Sequence, residues 1–153
     1  MVSKNDLIEL ELKGLSNSRH QNFYTKLFSK LFTKLYDIIL VEKNNSDIGI
    51  FITITQSEAS ALASIMENMD KTLPATHELF KMTNADFDNE LKYIVIEKID
   101  NDRIFHCKLI ISKSDEISEI TSRAIDAISF AVLYKKSIFI DKAVFEDNSV
   151  ELI

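Results

Sequence analysis

The sequence predicts an α+β fold in which mixed, largely antiparallel sheets pack against a buried C-terminal helix and two to three further helices. Residues from Ala124 to Tyr134 are apolar on nearly every side, which is typical of a helix inside a core rather than on a surface. Strand-like segments occur as adjacent hairpins with helices between the groups, and this order favours α+β over a doubly wound parallel sheet. A chain of 153 residues is one domain by default, so we expect residues 1–153 to share one core.

Apolar residues that recur at every second position, or in short continuous runs, predict the strands. In chain order the predicted strands are Leu7–Leu12, Asp37–Lys43, Ile48–Thr55, Tyr93–Ile99, Ile104–Ser112, Ile117–Thr121 and Ile138–Ile140. Polar and glycine residues between them predict turns. The predicted turns are Gly14–Asn17, Asn44–Asp47 and Asp100–Asp102, and a polar tail ends the chain.

One amphipathic helix is predicted from Phe23 to Tyr36. Its apolar residues come in pairs every four positions, and Lys26, Lys30 and Lys34 recur at the same interval. The stretch from Lys13 to Tyr36 contains five basic residues and no acidic one. Such a basic stripe can lie on phosphates or on an anionic membrane surface. More often, such a stripe is the solvated face of a helix whose apolar side packs on its own domain or on a partner subunit.

Two more helices are predicted before the second hairpin. The first runs from Thr55 to Met69, with Thr55 or Ser57 as its N-cap. Pro74 then breaks the chain, and Thr76 is placed to cap a short helix that ends near Asn84.

Composition excludes several classes of protein. A chain that is 46% hydrophobic and 27% charged is an ordinary globular protein, and it contains no apolar run that could span a membrane. The single cysteine, Cys107, excludes an internal disulfide, and the N-terminus lacks the core of a signal peptide, so we expect a cytoplasmic protein. A net charge of −6 argues against a surface that binds nucleic acid everywhere. Phosphate-loop, dinucleotide, zinc-finger and nucleophile-elbow motifs are absent.

Five segments occur in the order found in one known family. They are LELKGLSNS (Leu10–Ser18), ITITQSEASALA (Ile52–Ala63), LPATHELF (Leu73–Phe80), RIFHCKLII (Arg103–Ile111) and SRAIDAISFAVLYKKSIFI (Ser122–Ile140). Together they resemble the bifunctional nuclease domain family, and the THEL tetrapeptide and the R-x-x-D-A helix start are the most specific pieces. The resemblance implies a compact α+β domain, a homodimer or other homo-oligomer, and hydrolysis of DNA and RNA as in some relatives.

The chain departs from the family pattern at three places, one of which is that the family's glycine-rich approach to the strand predicted at Asp37–Lys43 is missing. The family usually has proline or threonine and then serine at the positions of Ala124 and Ile125, so an apolar side chain here replaces a hydroxyl before Asp126. Residues 20–36 look like a helical insertion where the family runs directly from a turn into a strand. These departures identify the chain as a divergent member.

Arg123 and Asp126 lie at the start of the buried helix and are its first candidate site. In a functional interpretation, Arg123 binds a phosphate through two hydrogen bonds, and Asp126 positions a water or a metal. In a structural interpretation, Asp126 occupies helix position N3, where a carboxylate favours the helix dipole, and Arg123 pairs with it.

Thr76, His77 and Glu58 form the second candidate site. A histidine at a helix start could act as a general acid or base near neutral pH, with Glu58 on the preceding helix to orient it. The structural alternative is that Thr76 caps the helix while His77 packs on the loop around Pro74. We expect His77 to share one pocket with Arg123 and Asp126.

Two functions are therefore open. The first is hydrolysis of DNA or RNA phosphodiesters, with His77, Asp126 and Glu58 as catalytic candidates. In that function, nucleic acid is the partner of the phosphate-binding candidates Arg123, Thr76, Lys26, Lys30 and Lys34. A divalent ion, Mg²⁺ or Mn²⁺, is the cofactor that such chemistry would use, although no metal ligand is identified. The second is a non-catalytic interaction or regulatory module that acts through residues 20–36.

Overall fold

One mixed sheet organises the chain. The computed structural model describes residues 3–18, 34–67 and 76–152. The strands in these ranges are β1 (Leu7–Asn17), β2 (Leu35–Glu42), β3 (Asn45–Thr55), β4 (Leu91–Ile99), β5 (Phe105–Lys113), β6 (Glu116–Arg123), β7 (Ser137–Asp141) and β8 (Val150–Glu151). The helices are α1 (Gln56–Met66), α2 (Thr76–Thr83), α3 (Phe87–Glu90), α4 (Ala124–Tyr134) and α5 (Lys142–Asn148), and a 3-10 turn, Lys4–Asp6, precedes β1.

The eight described strands form a single sheet in the order β6-β5-β4-β7-β1-β2-β3-β8. All neighbours are antiparallel except β4 and β7, which pair in parallel from Tyr93–Ser137 to Ile96–Ile140. The sheet therefore consists of two antiparallel halves, and β7 joins them because it pairs with β4 on one side and β1 on the other. The predicted α+β class is confirmed.

Helix α4 lies in the core, as its composition predicts. Ala127, Ile128 and Ala131 are at most 1% exposed, and they pack with apolar side chains of the sheet and with Ala59 and Leu62 of α1. Its bounds, Ala124–Tyr134, coincide with the apolar stretch in the sequence. Lys135 ends the helix in the left-handed conformation, with φ 55°. None of the helices in the described ranges is long and apolar enough to span a membrane.

Three predicted elements are wrong. Gly14–Asn17 continues strand β1 instead of forming a turn, because these residues pair with β2 after a bulge between Leu12 and Gly14. The predicted insertion helix cannot extend to Tyr36, because Leu35 and Tyr36 pair with Thr55 and Ile54 in the sheet.

The third error concerns the C-terminal region. The tail that was predicted to be merely polar contains α5, whose first amide groups are capped by the Asp141 carboxylate at 3.0 Å from the Ala143 nitrogen. After α5, Val150 and Glu151 pair with β3. Residues 19–33, which include most of the insertion predicted at 20–36, lie outside the described residues, as do residues 68–75 around Pro74.

Candidate functional site

The N-terminus of α4 carries the first half of the site. Arg123 is the N-cap residue and Asp126 occupies position N3, so their side chains lie three residues apart on one helix face. Arg123 Nε donates to Asp126 Oδ2 at 2.8 Å, and Arg123 Nη2 donates to Oδ1 at 3.2 Å. This bidentate pair agrees with the structural interpretation of the two residues. It raises the pKa of the Arg123 guanidinium, chiefly through the hydrogen bond to Asp126 and then through the negative charge of Asp126.

Helix α2 brings His77 onto the same carboxylate. The distance between His77 Nε2 and Asp126 Oδ1 is 3.3 Å, and the His77 side chain is only 16% exposed. Asp126 Oδ1 therefore contacts both the imidazole and the guanidinium. His77 and Asp126 are separated by 48 residues in the sequence, so this contact depends on the packing of α2 against α4.

Aromatic packing fixes α2 on α4. His77 contacts Phe130 in a T-shaped arrangement with ring centroids 4.7 Å apart. Phe130 lies four residues after Asp126, on the same face of α4, so one face supplies both the carboxylate and the ring that hold His77. Phe80, one turn along α2, also packs on Phe130 at 5.3 Å. Farther along, Lys81 Nζ donates to the Leu133 carbonyl oxygen at 3.4 Å.

Helix α1 supplies the fourth residue, Glu58. Its Oε2 accepts from the Thr55 amide at 2.9 Å, and the Thr55 hydroxyl accepts from the Glu58 amide at 3.3 Å, so the two residues form a capping box. The other oxygen, Oε1, accepts from Arg123 Nη1 at 3.4 Å. Capping thus fixes the direction in which Glu58 presents its free oxygen to Arg123.

The structure joins four of the predicted site residues into one contact chain, which we call the Arg123 cluster: Glu58, Arg123, Asp126 and His77. The expected orientation of His77 by Glu58 is not what is observed, because Glu58 contacts Arg123 and it is Asp126 that contacts His77. Arg123 is the most accessible member, with 66% of its side chain exposed, against 28% for Glu58 and 30% for Asp126.

A groove of about 860 Å³ adjoins the cluster. Arg123 and Glu58 line it, β3 supplies residues from Phe51 to Ile54, and the β4–β5 hairpin supplies Ile99 and the residues from Asp102 to Phe105. Four strands separate β3 from β5 in the sheet, so the sheet must curve strongly for both to line the same groove. The groove was not foreseen, because sheet curvature has no signature in the pattern of single strands.

The remaining predicted site residues lie apart from the contacts of the cluster. Thr76 is exposed and is the first residue of α2 instead of the residue before it. Lys34 is exposed just before β2, and Lys26 and Lys30 lie outside the described residues. Among the residues that the structure describes, no group of three or more histidine, cysteine or acidic side chains is arranged to hold a metal ion.

Sequence reasoning missed two residues beside the cluster. Phe130 was read only as part of an apolar helix, although its spacing of four from Asp126 could have indicated that both meet the same neighbour. Arg103 was read only as part of a matching segment, yet it lines the groove. Arg103 follows Asp100 and Asp102 in a hairpin turn that contains no glycine. Short hairpin turns usually place glycine at a position with positive φ, so the absence of glycine was the available signal that another residue adopts this conformation.

Comparison with known proteins gives one family. The sequence model described as the bifunctional nuclease domain matches residues 38–152. The uncharacterized proteins Rv1829 and MT1877, from Mycobacterium tuberculosis strains H37Rv and CDC 1551, are each 27% identical over 107 residues. That alignment covers 70% of this chain and 63% of each relative, so the chain spans less than two thirds of their length.

The family match begins after the predicted insertion and includes all four residues of the Arg123 cluster. It also includes every strand from β3 onward and most of β2. Because the match covers most of the sequence, the chain belongs to the bifunctional nuclease domain family.

Proposed function

We propose that this protein hydrolyses phosphodiester bonds of DNA or RNA at the Arg123 cluster. One observation carries the proposal. The Asp126 carboxylate contacts both the half-buried imidazole of His77 and the exposed guanidinium of Arg123. An imidazole can move a proton near neutral pH, and a guanidinium can bind a phosphate. Membership of a nuclease-like family supports the same reaction class.

In the proposed reaction His77 is the general base. Nε2 lies 3.3 Å from Asp126 Oδ1, and we propose that the carboxylate keeps the proton on Nε2, which leaves the lone pair on Nδ1 free. Nδ1 takes a proton from a water molecule while the water oxygen forms a bond to phosphorus. The bond from phosphorus to the leaving ester oxygen breaks, that oxygen takes a proton from solvent water to form a hydroxyl group, and His77 returns its proton to solvent.

In the same reaction Arg123 binds the phosphate. A guanidinium has five N–H donors, and the hydrogen bonds to Asp126 and Glu58 use one on each nitrogen. One donor therefore remains on each of Nη1 and Nη2, and the exposed side chain can direct both to a phosphate oxygen pair. Glu58 and Asp126 fix the guanidinium plane, so little side-chain entropy is lost when the phosphate binds.

The charges of the cluster set a condition on this proposal. Two carboxylates face one guanidinium, so the cluster carries one net negative charge when His77 is neutral. That charge disfavours a phosphate unless another cation is present. Both carboxylates are bonded to Arg123, and among the described residues no group of three or more histidine, cysteine or acidic side chains is arranged to hold a metal ion.

The test is cleavage of labelled single-stranded RNA and DNA by purified protein, with EDTA, Mg²⁺ or Mn²⁺. We expect His77→Ala to lower the cleavage rate by about 100-fold or more, which is the contribution typical of a general base. Leu79→Ala is the matched control, because Leu79 lies on the same helix and is 51% exposed, outside the contacts of the cluster. Equal cleavage by His77→Ala and Leu79→Ala would assign the activity to another site or to a contaminant.

That negative result would leave the non-catalytic interaction module as the better function.

In either case we propose a cytoplasmic homodimer. The described surface feature that supports self-association is β6, an edge strand on which Ile117 and Ile120 are 60% and 51% exposed. Light scattering should give twice the monomer mass, and Ile117→Ser with Ile120→Ser should shift it to the monomer; a dimer that is unaffected by both changes does not use β6.

A further inference from the structure

The β4–β5 hairpin places a second arginine beside the groove. Arg103 lines the groove together with Arg123, and the other charged residues of the lining are Glu58 and Asp102. Glu58 is already bonded to Arg123. Within the described part of the chain, the guanidinium of Arg103 makes no ion pair or hydrogen bond, so it is available to a ligand.

The backbone at Arg103 is in an unusual conformation that its loop holds in place. Its φ of 63° is in the left-handed region, which glycine adopts readily and a side-chain-bearing residue does not. The Asp100 carboxylate fixes the loop, because Oδ1 accepts from the amides of Asp102 at 2.9 Å and Ile104 at 3.0 Å. Its second oxygen, Oδ2, contacts His106 Nε2 on β5 at 2.8 Å.

The loop therefore holds the backbone of Arg103, which carries the cation, in a fixed position. A left-handed residue that is not glycine persists where the surrounding structure enforces it, and such positions are frequent at binding sites. Here three contacts of Asp100 enforce it, two within the loop and one to the sheet.

Most of the remaining lining residues are apolar, and Thr53 and Asn148 are the polar ones. Phe51 and Phe105 are half-buried in its walls, and Ile104 and Val150 are 53% and 46% exposed at the same place. An apolar wall with aromatic rings suits the faces of nucleobases, whereas a guanidinium suits a phosphate. A nucleic-acid strand is a ligand that presents both groups at regular spacing.

We propose that Arg103 is a second phosphate contact, and that the groove holds the part of the nucleic-acid strand next to the phosphodiester bond whose phosphate binds Arg123. This inference rests on the proposed function for its choice of ligand. Charge complementarity supports it, because Arg103 is a cation without a partner among the residues that the structure describes, while Arg123 shares the groove and retains two free N–H donors. Asp102 opposes binding from the same loop, so the contact is of moderate strength.

The test measures binding separately from cleavage. A short fluorescein-labelled single-stranded DNA is titrated with His77→Ala protein, which should cleave it about 100-fold or more slowly than the wild type under the proposed mechanism, and fluorescence anisotropy gives Kd at several salt concentrations. Arg103→Gly removes the cation and relieves the left-handed backbone, so the variant should fold at least as well as the parent. We expect Kd to rise about fivefold to tenfold, and the salt dependence of log K to fall by about 0.7, the value for one phosphate contact on a single strand.

A matched control is available on the same protein. Lys135 is also an exposed cation in the left-handed conformation, with φ 55°, but it lies at the other end of α4 from Arg123. Lys135→Gly should leave Kd and the salt dependence unchanged. Asp102→Asn should act in the opposite direction and lower Kd about twofold to threefold, because it removes a repulsive charge from the groove.

The results separate the two proposals. Equal effects of Arg103→Gly and Lys135→Gly would overturn the groove assignment even if His77→Ala abolishes cleavage, and so would the absence of any measurable binding at low salt. Binding that depends on Arg103, in a protein whose wild type cleaves nothing, would retain the groove and overturn the proposed hydrolysis.

Discussion

Asp126→Asn separates the chemical role of the Arg123 cluster from its structural role. Asparagine has nearly the same shape as aspartate but carries no charge, so the change weakens the contacts of Asp126 with Arg123 and His77 without opening a cavity. An amide that donates to Nε2 would also reverse the imidazole tautomer, and Nδ1 would then carry the proton and could not act as a base.

The expected cost in stability is small. Arg123 is 66% exposed, so solvent screens its ion pair with Asp126, and exposed pairs contribute about 0.2–1 kcal/mol. Loss of the favourable charge in the first turn of α4 adds about 0.3–1 kcal/mol. The sum is about 1 kcal/mol, which lowers Tm by about 2–4 °C for a domain of this size. The expected loss in the cleavage rate is far larger, about 100-fold to 10,000-fold.

The assay pairs thermal unfolding, followed by circular dichroism, with cleavage of a labelled oligonucleotide. Asp88→Asn is the matched control, because Asp88 makes one ion pair with Lys136 at 3.6 Å and is 57% exposed. The control should change neither Tm nor the cleavage rate appreciably. A variant Asp126→Asn that cleaves within about threefold of the wild type would refute the reasoning, since a general base of this kind contributes about 100-fold or more. A fall in Tm of well over 10 °C would instead assign a structural role to the cluster.

Three further predictions concern stability. Thr55→Ala removes one half of the capping box of α1 and should lower the free energy of unfolding by about 1 kcal/mol, measured by urea denaturation, whereas Thr55→Ser should retain it. Phe130→Ala removes the ring between His77 and Phe80; it should cost about 3 kcal/mol, and Phe130→Leu clearly less, while equal losses would show that aromatic contact is unimportant. Burial raises the pKa of the Cys107 thiol to about 12, so native protein should resist thiol reagents at pH 8. Because the unfolded thiol ionises near pH 8.5, stability should fall by up to about 1.4 kcal/mol per pH unit from there toward pH 12, and Cys107→Ala should remove this part of the slope.

The sequence was most informative where local and tertiary preferences agree. The residues from Ala124 to Tyr134 are apolar on nearly every side, which predicts a helix that is buried in the core. Both ends of α4 were predicted correctly. The hairpin of β4 and β5 was predictable for the same reason, since Cys107 and Leu109 alternate with more polar neighbours and face the core. Such elements tolerate no second arrangement that buries the same side chains.

Errors arose where tertiary pairing overrides local preference. Gly14, Ser16 and Asn17 are turn-forming residues, yet β2 continues past them and their backbone groups find strand partners there. The helix α5 was missed because seven residues carry little periodic signal, and its stability depends on the Asp141 cap and on burial of Phe145. Local composition contains neither the neighbouring strand nor the core that receives Phe145.

The Arg123 cluster was only partly predictable. Each residue type was a sound candidate, because charged groups at the start of a buried helix require partners. Which partner each one takes depends on the packing of α1 and α2 around α4, and no spacing within the sequence fixes that packing. Glu58 was therefore assigned to His77, although the capping box directs its free oxygen to Arg123.

The central position of β7 has a consequence for biosynthesis. The two antiparallel halves of the sheet contact each other through β7, which the ribosome makes after every other described strand except β8. A nascent chain that ends before residue 137 can form hairpins but cannot unite them, and the edges of β1 and β4 stay exposed until β7 emerges. The two halves of the sheet therefore cannot unite until β7 has been made, and during that interval the exposed strand edges leave the growing polypeptide vulnerable to aggregation.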